Sequence, residues 1–197
     1  MNAPGAGAQD RVLTVPNALS VVRLLLVPVF LWLLFTDANA WAVGVLMFSG
    51  FSDWADGKIA RLVANQSSRL GELLDPLVDR IYMITVPLAL AVHGTVPWWF
   101  VIALLARDVV LATTLPLLRS RGLAALAVTY LGKAATFALM SGFPLVLLGQ
   151  WDALWSRVVL ACGWGFLVWG LALYVWSGVL YLMQVALVMR QMPKVHR

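Results

Sequence analysis

Four aspartates in one short window are the residues of this chain best suited to chemistry. Asp53 and Asp56 are spaced i, i+3, and Asp75 and Asp79 are spaced i, i+4, so each pair projects from one face of a helix. With Glu72 they make five of the chain's nine acidic residues, and the sequence on either side is almost continuously apolar. Carboxylates are costly beside membrane-length hydrophobic segments, and chemistry is a reason to keep them there. Two such pairs on neighbouring antiparallel helices bring up to four negative charges together. Without cations they would repel, and some would be protonated. An all-oxygen donor set suits Mg²⁺ or Mn²⁺ rather than zinc. Two ions held by shared carboxylates are a usual device for stabilising phosphate charge in an in-line displacement. Gly57 lets a ligand approach the backbone just after the second aspartate. Arg61, about one turn further on, puts a guanidinium within reach of a phosphate. Gly71 gives close packing or ligand access at the start of the following helix.

Such residues have other uses. A single intramembrane aspartate can be a structural hydrogen bonder, and a pair can line a proton or cation path in a carrier. Four carboxylates accompanied by a glycine and an arginine, at a leaflet edge rather than the midplane, fit a carrier poorly. Metal-dependent phosphate chemistry is the reading this window favours.

The elements that must position the window follow from the apolar runs. Pro16 breaks what precedes it and Asn17 can cap a first helix over about 18–35, which carries one charge, Arg23. A short loop, 37–40, leads to a second helix from near Trp41. It is apolar to Phe51 and then bears Asp53, Asp56, Lys58 and Arg61. A hinge is expected at Asn65-Gln66-Ser67-Ser68, and a third helix from near Gly71 to about Val92. His93 to Pro97 read as a turn, followed by a fourth helix over about 98–118 with Arg107 and Asp108 inside it. A basic loop from Arg119 to Gly122 leads to a fifth helix, about 125–148, with Lys133 near its start. The sixth, about 154–189, exceeds the roughly 20 residues a bilayer core needs, so it begins and ends outside the hydrocarbon or tilts.

Composition sets the class. The chain has 197 residues, 62% of them hydrophobic, well above the half expected of a soluble domain. It reads as an all-α integral membrane protein of six transmembrane helices in one domain, 14–189. Before it lies a disordered or interfacial segment, 1–13, with no cleaved signal peptide, and after it a basic tail, 190–197. The net charge of +5 is not clustered as a nucleic-acid face would be. With the N-terminus inside and six alternating helices, Arg11, Lys58, Arg61, Arg69, Arg119, Arg121, Lys133, Arg190, Lys194 and Arg197 fall on the cytoplasmic side. Only Arg157 falls clearly outside, which obeys the positive-inside rule. Trp41, Trp98, Trp99, Trp151 and Trp155 land at the outer helix ends, as an aromatic belt requires. Both termini are therefore expected in the cytoplasm. At about 1.5 Å per residue, Asp75 and Asp79 lie roughly 6–12 Å into the third helix, at the cytoplasmic leaflet. The single cysteine, Cys162, excludes an internal disulfide.

The order Asp53-x-x-Asp56-Gly57-x-x-Ala60-Arg61, nine residues, then Gly71-x-x-x-Asp75-x-x-x-Asp79 resembles the signature of the CDP-alcohol phosphatidyltransferases, with all eight fixed positions present. Pro16-Asn17-Ala18-Leu19-Ser20 with Arg23 is similar to that family's entry into its first helix. The resemblance implies transfer of the phosphatidyl group of CDP-diacylglycerol to an alcohol with release of CMP. It implies two Mg²⁺ or Mn²⁺ ions held by Asp53, Asp56 and Asp75, with Asp79 as a shared ligand or the general base. It gives Asp56, Gly57, Ala60, Arg61 and Gly71 to the CDP pocket. It also implies a homodimer; the charge topology sets the active site in the cell membrane, among its lipids, facing the cytoplasm.

The acceptor alcohol rests on other residues. Arg107 lies near mid-helix, where charge is costly, and Arg107-Asp108 reads either as an ion pair internal to the helix packing or as an acceptor contact. Arg119 and Lys133, at the inner edge, are further candidates for an anionic head group, with topology alone as the other explanation. Bacterial phosphatidylglycerolphosphate synthases of the family usually show Arg-Glu and Lys-x-Lys-Thr at the corresponding places. This chain has Arg107-Asp108 and Lys133-Ala134-Ala135-Thr136, which is more similar to the cardiolipin synthases, as is Ala64 to Gly71. The whole chain resembles the actinobacterial branch of phosphatidylglycerolphosphate synthases and cardiolipin synthases. One fewer cation suits phosphatidylglycerol, whose phosphodiester carries one charge, better than glycerol 3-phosphate, which carries nearly two. Phosphatidylglycerol is the expected acceptor, with glycerol 3-phosphate and then inositol phosphate as alternatives.

Overall fold

In the computed structural model, residues 15–62, 69–119, 121 and 130–191 are described, and within them the side chains of 18–52, 77–118, 121 and 130–190. The described residues form six α-helices: α1 (Val15–Phe35), α2 (Asn39–Leu62), α3 (Arg69–Val92), α4 (Trp98–Arg119), α5 (Tyr130–Leu148) and α6 (Leu154–Gln191). The expected hinge at 65–68, the segment 125–129 and the terminal segments 1–13 and 192–197 lie outside the described residues. α3 begins at Arg69, two residues before the expected Gly71, which makes Gly71 its third residue.

The helix ends follow local chemistry. α1 closes with paired backbone bonds, Ala38 N to Leu33 O at 2.9 Å and Asp37 N to Leu34 O at 3.3 Å, and Asp37 takes the left-handed φ of 56°. α3 closes the same way, with Thr95 N bonded to Leu90 O, Gly94 N bonded to Ala91 O, and Gly94 at φ 83°. Ser156 Oγ ties the start of α6 to the loop before it, its hydroxyl proton shared between the carbonyls of Trp151 and Ala153.

Four of the helices are long and apolar enough to cross a membrane: Ala18–Phe35, Trp98–Leu118, Tyr130–Leu148 and Leu154–Arg190. Their exposed side chains are large and apolar, among them Trp32, Ile102, Val109, Phe137 and Trp169, and lipid is the solvent that accepts such a surface. The protein is an integral membrane protein. α2 and α3 have comparable length but carry more charge, Asp53, Asp56, Lys58 and Arg61 on the one and Arg69, Glu72, Asp75, Asp79 and Arg80 on the other.

The chain divides into two compact units, Met1–Thr85 and Val86–Arg197. In the first, α1 packs on α2, and Val27, Phe30, Leu34, Val43, Leu46 and Val78 are buried. Unusually for an apolar unit, Ser20, Arg23, Ser49 and Ser52 are buried with them. In the second, α6 packs against both α4 and α5. The α5–α6 approach is so close that a Cβ at Gly163 would stand 2.8 Å from the backbone nitrogen of Val146, and one at Gly149 2.7 Å from the Cα of Leu160. Small residues at a helix–helix contact are how membrane helices gain van der Waals contact where lipid removes the hydrophobic driving force.

Candidate active site

α2 carries Asp53, Asp56, Gly57, Ala60 and Arg61 along its second half, and α3 carries Gly71, Asp75 and Asp79 along its first. From the start of α3, Asp75 and Asp79 are about 9 Å and about 15 Å along the axis. The side chains of Asp53, Asp56, Ala60, Arg61 and Asp75, and the surroundings of Gly57 and Gly71, lie outside the described residues. Asp79 is described, and it is engaged. Arg23 Nη1 on α1 donates to its Oδ1 at 3.2 Å, with the arginine side chain 3% exposed and the aspartate 47%.

Two further contacts hold the same two helices together and add α2. Tyr82, one turn beyond Asp79 on α3, donates its hydroxyl to the carbonyl of Arg23 at 2.9 Å. Because that proton is committed, the 2.7 Å contact between Ser49 Oγ and Tyr82 Oη has serine as donor. Asp79 and Tyr82 therefore take the side chain and the backbone of one α1 residue. Ser49, on α2 one turn before Ser52, ties in the helix that carries Asp53 and Asp56. Sequence reasoning placed Arg23 on the first helix but did not pair it. The signal was available: a lone arginine in an apolar helix needs an anionic partner, and the chain's acids are concentrated in one window.

Asp79 is half exposed beside the buried Arg23 guanidinium that donates to it, and a carboxylate is the hard oxygen donor that a divalent ion takes.

The residues considered for the acceptor lie on the other unit. Arg107 Nη1 donates to Asp108 Oδ1 at 2.9 Å and Nη2 to Ser177 Oγ at 3.1 Å. Tyr174 on α6 donates to Asp108 Oδ1 at 2.7 Å, and the Arg107 guanidinium carbon lies 4.1 Å from the Tyr174 ring centroid, a cation–π contact. Lys133 is exposed, with Nζ 5.9 Å from the ring of Tyr130. The side chain of Arg119 lies outside the described residues. Tyr174 and Ser177 were not anticipated from sequence, since a tyrosine and a serine in an apolar helix carry no distinguishing pattern.

The sequence profile described as CDP-alcohol phosphatidyltransferase matches residues 13–190. A protein of Mycobacterium tuberculosis, provisionally named a cardiolipin synthase, is 65% identical over 187 residues, 94% of this chain and 89% of the relative. A protein of Streptomyces coelicolor named cardiolipin synthase (CMP-forming) is 44% identical over 92% of this chain and 86% of its own. A CDP-diacylglycerol–glycerol-3-phosphate 3-phosphatidyltransferase of Blochmanniella floridana is 27% identical over 84% of this chain and 91% of its own.

Proposed function

The chain belongs to the CDP-alcohol phosphatidyltransferase family, and from that premise we propose that it transfers the phosphatidyl group of CDP-diacylglycerol to phosphatidylglycerol, giving cardiolipin and CMP. It is a membrane transferase of phospholipid biosynthesis. The observation that carries the choice of acceptor is its 44% identity, over nearly the whole of both chains, to the Streptomyces coelicolor protein named for that reaction. The Arg107–Asp108 pair supports it, because a cation already countered by a carboxylate suits a monoanionic phosphodiester. Glycerol 3-phosphate is the second reading, favoured by the more distant likeness to the Blochmanniella protein.

Members of the family use divalent metal ions. Here Asp53, Asp56, Asp75 and Asp79 would hold two, Mg²⁺ or Mn²⁺. Ions held there would offset the negative charge of the diphosphate and of the departing CMP. Asp56, Gly57, Ala60, Arg61 and Gly71 shape the pocket for the cytidine diphosphate. Asp79 accepts the proton of the acceptor hydroxyl as its oxygen bonds to the lipid-bearing phosphorus, and the bond from that phosphorus to the CMP oxygen breaks. Arg23 keeps Asp79 in a single orientation during that transfer. Arg107, Asp108, Arg119 and Lys133 contact the acceptor.

This reading includes six spans over 14–189 and both termini in the cytoplasm. The site then faces the cytoplasm from the cell membrane, with acyl chains left in lipid. Terminal tags cleaved from outside intact cells would contradict that orientation. The enzyme works as a homodimer, which light scattering of the detergent-solubilised protein tests, a protomer mass being the contrary result. The acceptor is tested by supplying purified protein with CDP-diacylglycerol and each alcohol singly. Cardiolipin and CMP are expected with phosphatidylglycerol. Turnover with glycerol 3-phosphate alone would put the second reading in its place.

A further inference from the structure

Arg107 and Asp108 are adjacent on α4, and adjacent residues do not face each other on a helix. Their ion pair at 2.9 Å is therefore not something α4 sets by itself; the residues that close it are on α6. Asp108 Oδ1 receives two donors, Arg107 Nη1 at 2.9 Å from α4 and Tyr174 Oη at 2.7 Å from α6. Tyr174 also lies under the cation, its ring centroid 4.1 Å from the guanidinium carbon. One side chain thus holds both members of the pair, the anion with its hydroxyl and the cation with its face. Ser177, one turn on, accepts from Arg107 Nη2 at 3.1 Å and donates to the Tyr174 carbonyl at 2.8 Å. A Cβ on residue 178 would stand 3.0 Å from Arg107 Cγ and 3.2 Å from its Nε, so the glycine there leaves the arginine its place.

We infer that Tyr174 is a positioning residue for acceptor selection, acting through Asp108 and Arg107; this rests on the proposed contact between that pair and the acceptor. Held side by side, the two charges present a net-neutral surface with a donor and an acceptor. An alcohol bearing one negative charge and free hydroxyls meets the guanidinium with its phosphodiester and the carboxylate with a hydroxyl. A phosphomonoester dianion is attracted by Arg107 and repelled by Asp108. With Tyr174 absent, the carboxylate keeps only its neighbour on α4 and is free to swing from the guanidinium, and the discrimination weakens.

The test is Tyr174→Phe in the purified full-length enzyme, which keeps the ring under Arg107 and removes one hydrogen bond to Asp108. The readouts are KM for phosphatidylglycerol, KM for CDP-diacylglycerol, and the inhibition constant of glycerol 3-phosphate. The expected result is a KM for phosphatidylglycerol raised about tenfold, the size of one hydrogen bond to a charged group. The KM for CDP-diacylglycerol stays constant and glycerol 3-phosphate inhibits no less tightly. Asp108→Asn, which keeps an oxygen for Arg107 and Tyr174 but loses the charge, should tighten glycerol 3-phosphate inhibition. Arg107→Gln separates the two levels of the argument. If it leaves both acceptor constants unchanged, the pair does not touch the acceptor, and the inference falls with that reading. If it weakens both while Tyr174→Phe changes neither, or lowers kcat and thermal stability with the KM values fixed, the inference alone is overturned.

Discussion

Arg23 on α1, with a side chain 3% exposed, donates from Nη1 to Oδ1 of Asp79 on α3 across 3.2 Å. The two are 56 residues apart, and the bond joins the chain's first membrane helix to the last aspartate of the acidic window. Arg23→Gln removes the cation and leaves the carboxylate beside a neutral amide. Because Asp79 is 47% exposed, the loss of stability should be about 2 kcal/mol, below the roughly 3–5 kcal/mol for a fully buried pair. The kcat should fall about 10- to 100-fold through misplacement of Asp79, and Arg23→Lys should recover part of it by restoring the charge without the fork. Wild-type kcat in Arg23→Gln would show that Asp79 needs no such anchor.

Asp79→Asn keeps the shape of the side chain and removes its capacity to take a proton. Transfer should drop by about 10²–10⁴-fold, the usual contribution of a general base. Binding of CDP-diacylglycerol, followed by equilibrium dialysis of labelled substrate, should stay near the native value. Full turnover in this variant removes Asp79 as the base, and loss of donor binding makes its share in the ion site, not proton transfer, the part that matters.

How far these features can be read from sequence depends on their range. The six helices follow from apolar runs bounded by Pro16-Asn17, Asp37 to Ala40, His93 to Pro97 and Gly149 to Asp152, and the observed ends differ by a few residues at most where described. The acidic window is legible because its spacing is a local property of α2 and α3. Arg23 was visible as a charge, but its contact with Asp79 spans most of the first unit and is set by how three helices pack. Tyr82, Tyr174 and Ser177 are ordinary residues on apolar helices, and their roles exist only where a second helix brings a partner. The α5–α6 glycines were equally silent, because close approach is a property of two surfaces.

That close approach makes its own prediction. A methyl added at Gly163 would lie 2.8 Å from Val146 Cγ2 and from the Val146 backbone nitrogen, whereas one at Gly165 meets nothing within 4 Å. Gly163→Ala should lose about 1–3 kcal/mol through overpacking, seen as a lower unfolding temperature in detergent. Gly165→Ala should be neutral or slightly stabilising, since alanine is the better helix former. Equal stability of the two variants would mean α5 and α6 are further apart than described.

Chelation addresses the ions. EDTA should stop CMP release, and added Mg²⁺ or Mn²⁺ should restore it, because four carboxylates without cations repel one another and the substrate diphosphate. Turnover that continues in chelator would remove the two-ion reading.

Whether this enzyme makes cardiolipin from CDP-diacylglycerol is decided by a competition in one vessel. Purified protein in mixed micelles receives CDP-diacylglycerol with isotopically distinct phosphatidylglycerol and glycerol 3-phosphate at equal concentration, and the lipid product is read by mass spectrometry. Label from phosphatidylglycerol should appear in cardiolipin, matched by CMP released. Label appearing in phosphatidylglycerol phosphate, with none in cardiolipin, would contradict it.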